Sequence, residues 1–243
     1  MGAATSAVTT TATVNGGQRV AYVDHGGDGP AVVLLHSFLM HGGMFAPQVA
    51  ALGSTLRLVT VDARGHGGTP AGGRFDYWDV ARDVLALLDE LGMARAAVVG
   101  TSQGGFVGLR MALTAPERVS ALALLGTSAA AEDASVAAGY RRLAAAWAAR
   151  GPVDALVDSV AATCLGDTDP GGWPDTWRQV GGEEFTRILD PLVDRDGLLC
   201  QLPRVVCPVL VLHGSSDGCY PVARAAEIVE SVPRAEPLVV VDG

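Results

Sequence analysis

One serine in this chain stands where a serine can become a nucleophile. The apolar run Ala96-Ala97-Val98-Val99 stops at Gly100, and Thr101-Ser102-Gln103-Gly104-Gly105-Phe106 follow. A mostly apolar helical pattern then continues to Pro116. The G-x-S-x-G spacing fits a sharp turn from a buried strand into a helix, a nucleophile elbow that lifts one side chain out of the backbone. Such a turn strains the serine, and side chains two positions to either side would collide, so glycines flank it. A serine hydroxyl attacks a carbonyl only when a base takes its proton and a carboxylate orients that base.

The carboxylate expected for that work is Asp217. It follows the apolar run Val209-Leu210-Val211-Leu212 in a glycine-bracketed loop, His213-Gly214-Ser215-Ser216-Asp217-Gly218, with Pro221 just beyond. In an open α/β sheet, catalytic loops gather at the carboxyl ends of the strands. The bland alternative is a loop aspartate capping the next turn. Glu132 and Asp133 are the fallback acids, in a setting that reads more like the start of a helix. A developing oxyanion needs backbone N–H donors. One is expected from Gln103 and the other from the loop His36-Ser37-Phe38-Leu39, at Phe38. The side chains of Gln103 and Ser37 are candidates for further polar contacts.

Five histidines are available as the base: His25, His36, His41, His66 and His213. In the chain order serine, acid, histidine, the base should follow Asp217, and none does. His36 is expected to hold the oxyanion loop, His66 to hold a tight loop and His213 to pack against the acid loop. His41 could border the pocket, and His25 leaves a hairpin without an evident role.

These side chains need a scaffold. A hairpin is expected from residues 13–14 and 18–24 around Asn15-Gly16-Gly17. The continuous apolar runs 31–35, 56–61 and 119–125 suit parallel strands covered on both faces. Helical patterns occupy 44–52 and 76–91, the second with Val80, Val84, Leu87, Leu88 and Leu91 on one face and Gly92 as its stop. Strand and helix alternate, which predicts an α/β fold: a mostly parallel, doubly wound sheet. Residues 127–196 break this pattern. They are alanine-rich and helical, interrupted at Gly151-Pro152, at Asp169-Pro170-Gly171-Gly172 and at Gly181-Gly182. We read them as a helical cap between a first core part (1–126) and a last one (197–243). That last part holds a strand from 209, a helix over 222–232 and a strand over 238–241. In the cap, Tyr140, Trp147, Trp173 and Trp177 are candidates to line a substrate pocket, with cap core as the alternative.

Composition narrows the function classes. The chain has 243 residues, 49% of them hydrophobic and 18% charged, with a net charge of −9, so it can bury one sizeable core. All 17 basic residues are arginine and no basic run exists, so nucleic acid is not an expected partner. The lack of lysine beside abundant Ala, Gly and Val suggests a GC-rich bacterial gene. Cys164, Cys200, Cys207 and Cys219 have no metal-type spacing and read as free thiols in a reducing compartment. No apolar stretch is long enough to span a membrane, and no secretory signal pattern is present. The expected location is therefore cytoplasmic, without a membrane partner. Residues 1–11 read as a loose lead-in. Met1-Gly2-Ala3-Ala4-Thr5-Ser6 matches the myristoylation pattern, which we take as chance.

The His36-Ser37-Phe38 loop, Asp62-Ala63-Arg64-Gly65-His66-Gly67, the Ser102 elbow and His213-Gly214-Ser215-Ser216-Asp217 with Pro221 together resemble the α/β-hydrolase superfamily over nearly the whole chain. The chain is similar to small bacterial esterases and 3-oxoadipate enol-lactone hydrolase-like members, which carry a four-helix-type cap. The resemblance implies a cofactor-free serine hydrolase, with no metal, that cleaves a small carboxylic ester or lactone through an acyl-enzyme on Ser102. A serine in the elbow argues against dehalogenase or epoxide hydrolase chemistry, where an aspartate attacks carbon. Perhydrolase and carbon–carbon bond hydrolase activities share the fold and triad, and a binding protein with an incomplete triad is the non-enzymatic rival. Two departures from the family pattern stand out. Ser37 replaces the usual glycine after His36, and the sequence stops at Val241-Asp242-Gly243, where the family continues through a Gly-His pair and a final helix. It therefore reads as a shortened version of a longer chain whose catalytic histidine follows Gly243. Oligomeric state is not legible.

Overall fold

Apolar β-branched runs make the centre of the sheet. The computed structural model describes residues 8–243, and the myristoylation-like hexapeptide lies outside them. Ala31–Leu35 (β3), Arg57–Val61 (β4), Ala96–Thr101 (β5), Val119–Leu125 (β6), Val209–Gly214 (β7) and Val239–Val241 (β8) run parallel. Thr10–Val14 (β1) and Gln18–Asp24 (β2) form an antiparallel hairpin, and β2 joins β4 antiparallel. The order is β1-β2-β4-β3-β5-β6-β7-β8. β5, which leads into Ser102, therefore lies between β3, which leads into the His36 loop, and β6. Chemistry from three strand ends meets at one edge.

Helices cover both faces. Ala46–Leu52 (α1) packs with the smaller apolar cluster of Val32, Leu34, Phe45 and Leu58. Tyr77–Glu90 (α2), Gln103–Thr114 (α3) and Val222–Ser231 (α8) contribute to the larger core. A reciprocal capping box starts α2: Asp76 accepts from the Asp79 N–H at 2.8 Å, and Asp79 accepts from the Asp76 N–H at 3.0 Å. From Gln103 through Leu113 every residue of α3 is buried, as a helix wedged between sheet and neighbours must be.

Several ends differ from expectation for local reasons. β1 begins at Thr10, inside the expected lead-in. Pro47 fixes the first turn of α1, and the preceding Gly42–Phe45 form a tighter 3₁₀ turn. The Leu56 N–H is still bonded to Leu52 O at 3.0 Å, so β4 starts one residue later than predicted.

Between β6 and β7 the chain forms Ala134–Arg150 (α4), Asp154–Leu165 (α5), Trp173–Arg178 (α6) and Gly182–Val193 (α7). The breaks fall at the glycine and proline clusters. α4 and α7 approach closely at Gly182, where a Cβ would lie 2.5 Å from Ala148 Cα. Trp147 stacks on Phe185 there, 4.4 Å between ring centres. Among the described residues no helix is long and apolar enough to cross a membrane.

Candidate active site

Ser102 joins β5 to α3 with φ 50° and ψ −113°, a conformation that costs an L-residue energy and persists only where the surroundings hold it. Here they do. Its carbonyl accepts from Gly105 N (2.9 Å) and from the Thr127 hydroxyl (2.8 Å), while its N–H donates to Leu125 O at 2.9 Å. The glycines are a steric necessity. A Cβ on Gly100 would lie 2.3 Å from Gly104 O, one on Gly104 2.1 Å from Leu35 O, and one on Gly105 2.5 Å from Thr127 Oγ1.

Ser102 opens into a cavity of about 840 Å³ between the carboxyl edge of the sheet and helices α4, α5 and α7. Asp217 lines the same cavity. Its Oδ1 accepts the N–H groups of Cys219 (2.8 Å) and Tyr220 (3.0 Å), which locks the carboxylate in place. Its Oδ2 lies beside Gly126, where an added Cβ would be 3.1 Å away. Ser37, Phe38 and Tyr140 also line the cavity. Gln103 is buried at the base of the elbow, and its amide oxygen accepts from the Tyr77 hydroxyl at 3.3 Å, turned away from the cavity. Among the described residues neither Phe38 N nor Gln103 N has a backbone hydrogen-bond partner.

The histidines are all occupied elsewhere, and none lines the cavity. His36 is buried. Its Nδ1–H donates to Ser37 O (2.8 Å) and its Nε2 accepts from Ala63 N (2.9 Å), which fixes one neutral tautomer. Burial holds its pKa down at about 4. His66, buried beside it, is held down at about 3 by burial and then by His36, and bonds Arg64 O through Nδ1 at 2.9 Å. His213 Nε2 donates to Tyr220 O at 2.9 Å and stands 3.5 Å from Asp217 Oδ2, bracing the acid loop from behind. His41 caps the 3₁₀ turn through Gly43 N and rests against Trp173, so it does not border the pocket. His25 contacts the Thr60 hydroxyl at 3.2 Å.

Three of the four aromatic candidates for the pocket are corrected. Trp147 and Trp177 are 0% exposed, and Trp173 packs on His41. None of the three lines the cavity. A buried indole needs an acceptor for its N–H, and each of the two finds a backbone carbonyl: Trp147 donates to Val180 O at 2.9 Å and Trp177 to Leu39 O at 2.8 Å. The second bond ties α6 to the loop after β3, where Leu39 itself has φ 61°. Of the fallback acids, Glu132 is buried against Arg195 Nη1 (2.8 Å) and accepts from the Tyr220 hydroxyl (3.1 Å), whereas exposed Asp133 pairs with Arg224 at 2.9 Å.

Some residues of the site escaped the sequence reading. Thr127 follows Gly126 at the end of β6, a position that could have signalled a clamp on the elbow. Arg195 gave no signal: it is buried, donates to Ala130 O and Leu192 O, and lies 4.4 Å from the Phe106 ring centre. Cys164 and Cys219 both line the cavity as free thiols. Burial and their mutual proximity push Cys164 up to about 12, and burial with the nearby Asp217 pushes Cys219 up to about 11.

Comparison with known proteins places this geometry in context. A family model described as alpha/beta hydrolase fold matches residues 30–156. A pimeloyl-[acyl-carrier protein] methyl ester esterase of Chromobacterium violaceum is 31% identical over 231 residues, covering 88% of this chain and 86% of its own. Among solved structures, the enol-lactonase from Burkholderia xenovorans LB400 superposes with a TM-score of 0.85 at 27% identity, covering 96% of this chain and 91% of that one. A hydrolase from Pseudomonas aeruginosa PA01 gives 0.86 at 27% identity, covering 96% and 89%.

Proposed function

Since the chain belongs to the α/β-hydrolase fold family, we propose that it hydrolyses a small carboxylic ester or lactone through an acyl-enzyme on Ser102. One observation carries this reading: a strained, glycine-flanked serine and a carboxylate locked by two N–H groups open into one cavity. Ser102 Oγ attacks the carbonyl carbon while a base removes its proton. The negative oxygen is held by the N–H groups of Phe38 and Gln103, the second at the positive end of α3. The base then protonates the leaving alkoxide, and a water repeats the sequence to release the acid. We read the four-helix insertion as the cap that shelters these steps, which need no cofactor. The base is not among the five histidines.

The deciding experiment is Ser102→Ala with a p-nitrophenyl ester, where kcat should fall by about 10³-fold or more. Turnover at the unaltered rate would overturn the assignment. The hydrogen bonds that commit His36, His66, His213 and His41 to their own loops favour a second reading, a hydrolase-fold protein that only binds its ligand. A fluorophosphonate separates the two, because it forms a covalent adduct on an activated Ser102 and leaves a binding-only protein unlabelled.

A further inference from the structure

The cavity in front of Ser102 is lined by the apolar side chains of Phe38, Leu39, Leu143, Val160, Leu165 and Leu192. Its charged groups all have one sign. Asp217 and the exposed Asp167 line it, and no arginine or histidine does. The chain has no lysine to supply a cation from a flexible stem. The carboxyl end of α5, from Ala162 to the cap at Gly166, also faces the cavity, so a helix presents its negative pole there. Arg195, bonded to the carbonyl of the lining residue Leu192, is committed to Glu132 and Ala130 O, and as an ion pair it adds no net charge.

A carboxylate entering this space would give up water and meet acids, hydrocarbon and neutral hydroxyls such as those of Tyr140, Thr163 and Thr168, with no cation to balance its charge. Resting on the ester-hydrolase reading, we propose that the cavity selects esters whose acyl part is uncharged at its distal end and discriminates against those that end in a carboxylate. The selecting features are Asp167 with the carboxyl end of α5, and the apolar lining from α4, α5 and α7.

The test pair is dimethyl adipate and monomethyl adipate, which present the same methyl ester on the same carbon chain and differ by one ionised group at about pH 8. The diester should be cleaved once and stop, releasing one methanol, because its product carries the excluded charge. The kcat/KM for the monoester should be lower by about tenfold or more. Asp167→Arg should narrow that ratio. A second methanol released at a comparable rate would overturn the proposal. Binding to the Ser102→Ala chain, followed by ligand-observed NMR, separates the two readings. Preference for the diester there upholds the selectivity even if neither compound is turned over, and it is then the reaction on Ser102 that fails. Equal binding, or binding of neither ester, overturns the selectivity.

Discussion

At Gly104 the tolerance is less than a methyl group, since the added Cβ would sit 2.1 Å from the Leu35 carbonyl oxygen, which belongs to a strand and cannot swing aside. Gly104→Ala should therefore cost on the order of 2 kcal/mol or more in stability and remove most turnover, measurable by urea unfolding and ester hydrolysis. A stable, fully active variant would refute the steric account. Arg195 makes a different kind of point. Its side chain and that of Glu132 are 2% and 3% exposed, so each needs the other. Arg195→Met strands a buried carboxylate and should destabilise by about 3–5 kcal/mol, whereas adding Glu132→Gln to it should recover part of that loss. Equal losses in the single and double variants would show that packing over Phe106, and not charge, is what Arg195 supplies.

Elements were legible in proportion to how strongly local chemistry constrains them. The strands read directly from runs such as Val32-Val33-Leu34-Leu35, because burial on both faces leaves no choice of residue type. The elbow read from its glycines, which answer to contacts within a few residues and with the adjoining strand. The tryptophans did not read correctly. In alanine-rich α4 the apolar residues surround the helix, so the sequence does not say which side Trp147 faces; the answer came from Phe185 on α7, far along the chain. Glu132, expected only as a fallback acid, gave no sign of its partner Arg195 for the same reason, since Arg195 lies across the insertion. Trp177 turns out to link α6 to the Phe38–Leu39 loop. Trp177→Phe keeps the ring and deletes the N–H, leaving the buried Leu39 carbonyl unbonded, so stability should drop by about 1–3 kcal/mol. The kcat should drop with it, because the Phe38–Leu39 backbone loses its restraint. Unchanged kcat in a destabilised variant would mean that the link is structural only.

For the whole molecule, acid is the weak point. His36 and His66 are buried neutral, with pKa values held at about 4 and about 3 against the ordinary 6.5. Between pH 6.5 and those values the unfolded chain takes up protons that the folded chain refuses. Their contribution is therefore complete above pH 6.5 and is lost as pH falls, by about 1.4 kcal/mol per pH unit for each histidine. Urea midpoints measured from neutral pH down to about 4 should slope accordingly, and a flat profile would show that these rings are not buried neutral. The two thiols in the cavity have a consequence for anyone diagnosing the enzyme by reagents. A mercurial that seats on Cys164 or Cys219 occludes the space before Ser102 and stops turnover, although the serine stays chemically untouched. Iodoacetamide requires a thiolate, and with thiols held near 12 and 11 it would act slowly at neutral pH. Inhibitor profiling alone would thus credit sulfur with work that the proposal assigns to Ser102.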